Sequence, residues 1–179
     1  MSQQQVRSGQ SFAIVPHTVN RLVFRSADSY DELRSRYEAA VPAFDWAMID
    51  SAASWDEVLE LTAAAAPVGF LLYGRLDIER FMAKNGHAAR STTYLMGNHT
   101  VAETMYGHNA GVMLYAPLRT VIFEDPDGVA CFAIDQPSTR FASFDNGAIA
   151  AAGRELDARL AALLDTLGLP VPDGLGASA

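Results

Sequence analysis

One amphipathic helix limits what this chain can fold into. From Asn146 to Gly168, Ile149, Gly153, Leu156, Leu160, Leu163, Leu164 and Leu167 recur at the spacing of a single helical face. Asn146 is placed to cap the start, and Gly168 followed by Pro170 stops the run. A helix of about twenty residues is ~30 Å long, so a stripe of that length calls for a broad apolar surface to lie on. Glu155 and Arg159 are spaced for an ion pair on the same helix, worth ~0.3 kcal/mol.

The rest of the chain supplies such a surface in strands. His17 to Ala27, Val68 to Arg75, Ser91 to Met96, Gly111 to Tyr115, Arg119 to Glu124 and Val129 to Asp135 read as strands. Ala116-Pro117 breaks two of them apart at a bend or bulge. Asp125-Pro126-Asp127-Gly128 is a hairpin turn, because proline presets φ and glycine accepts positive φ. Helices start at capping boxes in Ser29 to Glu32 and Ser54 to Glu57, and the first ends at Pro42. Phe44-Asp45-Trp46 falls in a connection. Asp77 is placed to cap a short helix holding Ile78 and Phe81, and Asn85-Gly86 supplies its left-handed stop. Asn98 is placed to cap a helix through Val101, Met105 and Tyr106.

These elements predict an α+β fold: a mainly antiparallel sheet of about five or six strands, helices packed on one face, and the long C-terminal amphipathic helix among them. The strand–helix alternation in the middle leaves an α/β arrangement open. Residues 17–170 form the expected single domain, between a flexible N-terminal segment at 1–16 and a flexible tail at 171–179.

Composition narrows the function classes. The net charge is −8 and Lys84 is the one lysine, with the arginines scattered, so a nucleic-acid partner is not expected. Cys131 is the one cysteine, which excludes an intramolecular disulfide and a thiolate metal cluster within one chain. Its neighbours Ala130 and Phe132 mark it as a packed core thiol. No apolar run is long enough for a membrane span and the N-terminus lacks a signal-type segment, so no membrane partner and a cytoplasmic location are expected. The glycine-rich nucleotide motifs, the Gly-x-Ser-x-Gly elbow and the His-Glu-x-x-His pair are all missing.

The candidate chemistry lies between Tyr94 and Ser138. Gly97-Asn98-His99 follows a strand and opens a helix, where free N–H groups and the helix dipole favour an anion or a polar ligand group. That dipole disfavours an imidazolium at His99, and a neutral imidazole serves as base, donor or ligand. Asn98 serves equally as a plain cap. Asp135 ends a strand before Gln136-Pro137-Ser138, where it could orient a histidine or simply cap a turn. Arg119 after Pro117 could clamp a carboxylate. Tyr73, Tyr94 and Tyr115 lie in apolar strands with hydroxyls directed to a rim. His99 and His108 are nine residues apart and do not share a helical face; no histidine pair has metal-binding spacing, so no metal site is expected.

Taken together, Gly69-Phe-Leu-Leu72, Leu95-Met-Gly-Asn98-His99-Thr-Val-Ala102, Leu114-Tyr-Ala-Pro117-Leu-Arg119, Glu124-Asp-Pro-Asp-Gly128 and Phe132-Ala-Ile-Asp135-Gln-Pro-Ser138 resemble the bacterial domain-of-unknown-function family 302, across Val19 to Leu164. The resemblance implies a compact α+β fold and a homodimer. It carries no agreed activity or catalytic residues. Many members read Cys-Asn-Pro where this chain reads Gly97-Asn98-His99, so cysteine chemistry at that corner does not transfer.

Two functions of different class follow as expectations. In one, the protein binds a small, partly apolar molecule through Asn98, Tyr115, Arg119 and Ser138 in a pocket lined by Met and Phe. In the other, His99 is the general acid/base of a cofactor-independent isomerase, cyclase or hydrolase, oriented by Asp135. Haem held by His99 or another histidine is a third reading. All place the site where Gly97-Asn98-His99 meets Tyr115-Ala116-Pro117 and Asp135 to Ser138.

Overall fold

The structure is a computed structural model that describes residues 11–176. The expected flexible ends fall partly at residues 1–10 and 177–179, outside the described residues. Among the described residues the strands are β1 (Arg21–Arg25), β2 (Leu71–Asp77), β3 (Ser91–Gly97), β4 (Leu118–Glu124) and β5 (Ala130–Asp135). The helices are α1 (Tyr30–Ala40), α2 (Trp46–Ser51), α3 (Trp55–Ala65), α4 (Glu79–Met82), α5 (His99–Tyr106), α6 (Pro137–Phe141) and α7 (Gly147–Thr166). The five strands form one sheet in the order β1-β5-β4-β3-β2, antiparallel at each pairing. The fold is α+β.

Strand alternation divides this sheet into two unlike faces. Phe24, Tyr94, Met96, Ile122, Phe132 and Ile134 point into the core, where they join Leu33 and Tyr37 of α1 and Ile149, Leu156, Leu160, Leu163 and Leu164 of α7. The leucine stripe is therefore buried as its spacing requires. Two hydroxyl pairs sit within this apolar layer: Tyr37 with Thr120 at 2.8 Å and Tyr30 with Thr92 at 2.7 Å. Burial pushes the Tyr37 phenol above its ordinary range. Cys131 is buried and free.

The caps explain the helix starts. Ser29 and Glu32 close a reciprocal box on α1. Ser54 caps α3, but Glu57 accepts from the Ala53 N–H rather than from the cap residue. Asn98 and Asn146 each accept two backbone N–H groups, at the starts of α5 and α7. Between β4 and β5, Asp125 accepts from the N–H groups of Asp127 and Val129, and Gly128 takes φ 77°.

Four local expectations are corrected. Gly111 to Tyr115 is no strand: Asn109 accepts from the Gly111 N–H and starts a 3-10 turn over Ala110–Leu114. Tyr115 therefore lies outside the sheet. The connection at Phe44-Asp45-Trp46 contains a helix start, with Asp45 capping α2. Asp77 does not cap α4, because its carboxylate is taken by Arg75 and the Thr92 hydroxyl. The turn at Pro137-Ser138 is the first turn of α6. It is tied to α7 by Asp157, which is 5% exposed and accepts from Gln136 Nε2, the Ser138 N–H and Ser138 Oγ.

Candidate functional site

The second face of the sheet carries an open cleft of about 880 Å³. Register fixes what it displays. Leu95 lies opposite Arg119; Thr120 pairs with Ile134, which sets Arg119 and Asp135 in the same row; and Asp135 pairs with Arg21. The next row runs through Thr93, Val121, Ala133 and Val23. A charged row thus borders an apolar one. The 3-10 turn brings Met113, Leu114 and Tyr115 to one end, and α6 adds Arg140.

The charges in this cleft do not balance. Asp135 pairs with Arg140 and lies 3.8 Å from Arg21. The Arg140 guanidinium also sits 4.9 Å from the centre of the Tyr115 ring, a cation–π contact. Arg119 is exposed at the sheet surface and makes no ion pair or side-chain hydrogen bond among the described residues. Three guanidinium groups, Arg21, Arg119 and Arg140, therefore face one carboxylate in a cleft with apolar walls. In a chain of net charge −8, this is a local positive field that favours an anion.

The expected site residues separate into two groups. Tyr115, Arg119 and Asp135 share this cleft. Asn98, His99 and Ser138 do not line it. The Asn98 Oδ1 accepts from the Thr100 and Val101 N–H groups and from the Thr100 hydroxyl, while Nδ2 donates to the Gly69 carbonyl. The oxygen of that side chain is fully engaged, and one of the two Nδ2 hydrogens is committed to the Gly69 carbonyl. Ser138 is committed to Asp157. Two of the three segments do approach one another: a Cβ on Gly97 would stand 3.5 Å from the Pro117 Cα. The polar groups of Asn98 and His99 simply turn away from the contact.

His99 occupies a second polar cluster instead. Its Nδ1 lies 2.7 Å from the Tyr73 hydroxyl, and its Nε2 lies 2.7 Å from the Thr62 hydroxyl. Asp135, paired with Arg140, does not orient it, which corrects the expected His99–Asp135 pair. The direction of the bonds follows from the chain's last member. Thr62 Oγ1 donates to the Val58 carbonyl at 2.6 Å, and its single proton is then spent. His99 must donate from Nε2, so Nδ1 is the acceptor and Tyr73 donates to it. Burial alone lowers the imidazole pKa from 6.5, and burial pushes the Tyr73 phenol up to about 12. Phe44 completes the cluster, 5.4 Å from the His99 ring and stacked on Tyr73 at 4.7 Å.

Tyr73 reaches His99 because β2 is irregular there: Leu72 pairs with Met96 and Gly74 with Leu95, which leaves Tyr73 as the extra residue of a bulge. No sequence signal linked His99 to Thr62, 37 residues away, or to Tyr73, 26 away. The cleft did have a signal. The alternation Arg119, Val121, Phe123 against Leu118, Thr120, Ile122 marks a strand with two occupied faces. Among the described residues no group of three His, Cys, Asp or Glu side chains is placed to hold a metal ion, and no helix is long and apolar enough to cross a membrane.

The fold and cleft define an α+β protein whose antiparallel sheet is covered by helices on one side and offers a charged, apolar-walled surface on the other. Residues 48–167 match the family described as a domain of unknown function, DUF302, and the chain belongs to that family. A crystal structure of an uncharacterized conserved DUF302 protein from Bacillus stearothermophilus is similar in fold, with a TM-score of 0.60 at 15% identity, over 82% of this chain and 97% of that one. Comparison with curated proteins returned no match.

Proposed function

We propose that this protein binds a small amphipathic anion, a carboxylate on a hydrocarbon body, in the cleft on the open face of the sheet. The observation that carries this reading is Arg119, an uncompensated guanidinium beside an apolar row. A carboxylate fits a guanidinium in the two-bond fork geometry, and the hydrocarbon part would cover Val121, Phe123 and Leu95. Tyr115 and Arg140 form the rim, and Asp135 holds Arg140 in place. The enzyme reading has less support. Both nitrogens of His99 are engaged by hydroxyls, and among the described residues no carboxylate bonds to the ring. Haem ligation by His99 would likewise require one of those bonds to break.

Titration calorimetry of the purified chain against aryl carboxylates, medium-chain fatty acids and their neutral amides tests the proposal. Carboxylates are expected to bind more tightly than the amides, and Arg119→Gln to weaken the carboxylates alone, by about tenfold or ~1.4 kcal/mol. Equal binding of acids and amides, or no effect of Arg119→Gln, would count against it.

A second reading rests on the exposure of Val23 and Leu76, 51% and 50%, on that same face. A second copy of the chain would cover them in a homodimer. Light scattering that reports a dimer, lost on Val23→Glu, supports this reading; a monomer across the micromolar range removes it.

A further inference from the structure

Among the described residues the segment from Trp46 to Ala65 is hydrogen-bonded to the rest of the molecule at its two ends and at one point between them. At the first end, Ala43 bridges Leu72 in parallel, with hydrogen bonds from Phe44 N–H to the Leu72 carbonyl and from Leu72 N–H to the Pro42 carbonyl. At the other, Gly69 donates to the Ala66 carbonyl and its own carbonyl accepts from Asn98 and Arg159. Between these anchors α2 has no buried residue, and α3 buries only Val58 and Thr62. Thr62 is the residue that meets His99.

We propose that α2 and α3 form an arm that the uncharged His99 ring pins to the body, and that protonation of this ring releases it. The hydrogen-bond chain has one direction while the ring is neutral: Tyr73 to Nδ1, Nε2 to Thr62, Thr62 to Val58. A second proton turns Nδ1 into a donor aimed at the Tyr73 oxygen. The Tyr73 hydroxyl proton then loses its acceptor, and an unpaired donor in a partly buried site is unfavourable. The Nε2–Thr62 bond survives that change, but the new charge lies in a half-buried site among Phe44, Tyr73 and α3, and release of α3 opens the ring to water that solvates it.

Among the described residues no carboxylate bonds to the ring; on α7, which packs against α5, Glu155 pairs with Arg159. On α3, Glu57 is turned back to the Ala53 N–H, and Asp56 and Glu60 lie round the helix from Thr62. Asp45 caps α2, and Asp50 at its far end is exposed. On β2, Arg75 and Asp77 pair with each other. Glu103, one turn after His99 in α5, is exposed and forms no ion pair with it. Burial is accordingly the one cause that shifts the His99 pKa, and it shifts it down.

The arm carries its own reporters, since the chain's two tryptophans are Trp46 and Trp55. The test follows tryptophan emission of the full chain from about pH 8 to about pH 4.5, with far-UV circular dichroism in parallel. Emission is expected to change in a one-proton step with its midpoint below 6.5, while the dichroism stays native. His99→Gln is expected to abolish that step, whether its arm stays docked or is already free, and joint replacement of His17, His87 and His108 by Gln to leave it. Thr62→Val weakens the pin and is expected to move the midpoint up toward 6.5. Emission that holds until the dichroism collapses overturns the proposal. So does a step that survives in His99→Gln, or a midpoint that Thr62→Val does not move.

Discussion

The hydroxyl of Tyr37 in α1 meets that of Thr120 in β4 at 2.8 Å, inside a mainly apolar layer. Each group is the other's partner, so removing either one strands a buried polar atom. Tyr37→Phe or Thr120→Val alone is expected to cost about 1–3 kcal/mol. The double variant should cost less than the sum, because neither hydroxyl is then left unpaired. Urea unfolding of the four proteins measures the difference, and strict additivity would mean that the bond contributes nothing specific.

Gly153 lies where α7 crosses α6. A Cβ there would come within 3.0 Å of the Ser138 Cα and 3.2 Å of the Phe141 Cβ, the first a backbone atom that cannot move aside alone. Alanine is favoured over glycine in a helix by ~1 kcal/mol, so propensity by itself forecasts a gain. Overpacking of about 1–3 kcal/mol should outweigh it, and Gly153→Ala is expected to lower the unfolding midpoint. A raised midpoint would show that the two helices separate easily.

The pH dependence of stability has a definite sign at His99. Its folded pKa is depressed below 6.5, so the unfolded chain binds the proton more readily. The stabilisation is fully present above pH 6.5 and is lost as pH falls from there through the folded value. Denaturant midpoints measured across this window should fall for the parent chain and stay flatter for His99→Gln. Proton NMR of the ring should place the titration on the acid side of 6.5.

Arg119 is exposed and has no partner among the described residues, so Arg119→Gln should change stability by no more than about 0.5 kcal/mol. Arg140 is paired with Asp135 and stacked against Tyr115, so Arg140→Gln should disturb the cleft rim as well as its charge. Thermal unfolding of the two variants separates these roles. A clear loss of stability in Arg119→Gln would assign that side chain a structural task.

The sequence revealed those parts of the molecule that are set within a few residues. The caps at Ser29, Asn98 and Asn146, the turn at Asp125 to Gly128 and the stripe from Ile149 to Leu167 are all local devices. The failures came where a short apolar run is equally compatible with two conformations. Gly111 to Tyr115 reads as a strand until Asn109 claims the Gly111 N–H. At the candidate site, Tyr115, Arg119 and Asp135 come from separate segments and share one cleft. The partners of His99 are not legible, because they come from α3 and from a bulge in β2, contacts that no residue spacing encodes.

That bulge places Tyr73 outside the count of the β2–β3 ladder: Leu72 and Gly74 take successive partners as though it were not there. The residue that donates to His99 is thus surplus to the sheet. Its side chain can be exchanged by evolution or by design while the strand register on either side stays as it is. In this fold the group that hydrogen-bonds the histidine and the frame that carries it are free to vary independently.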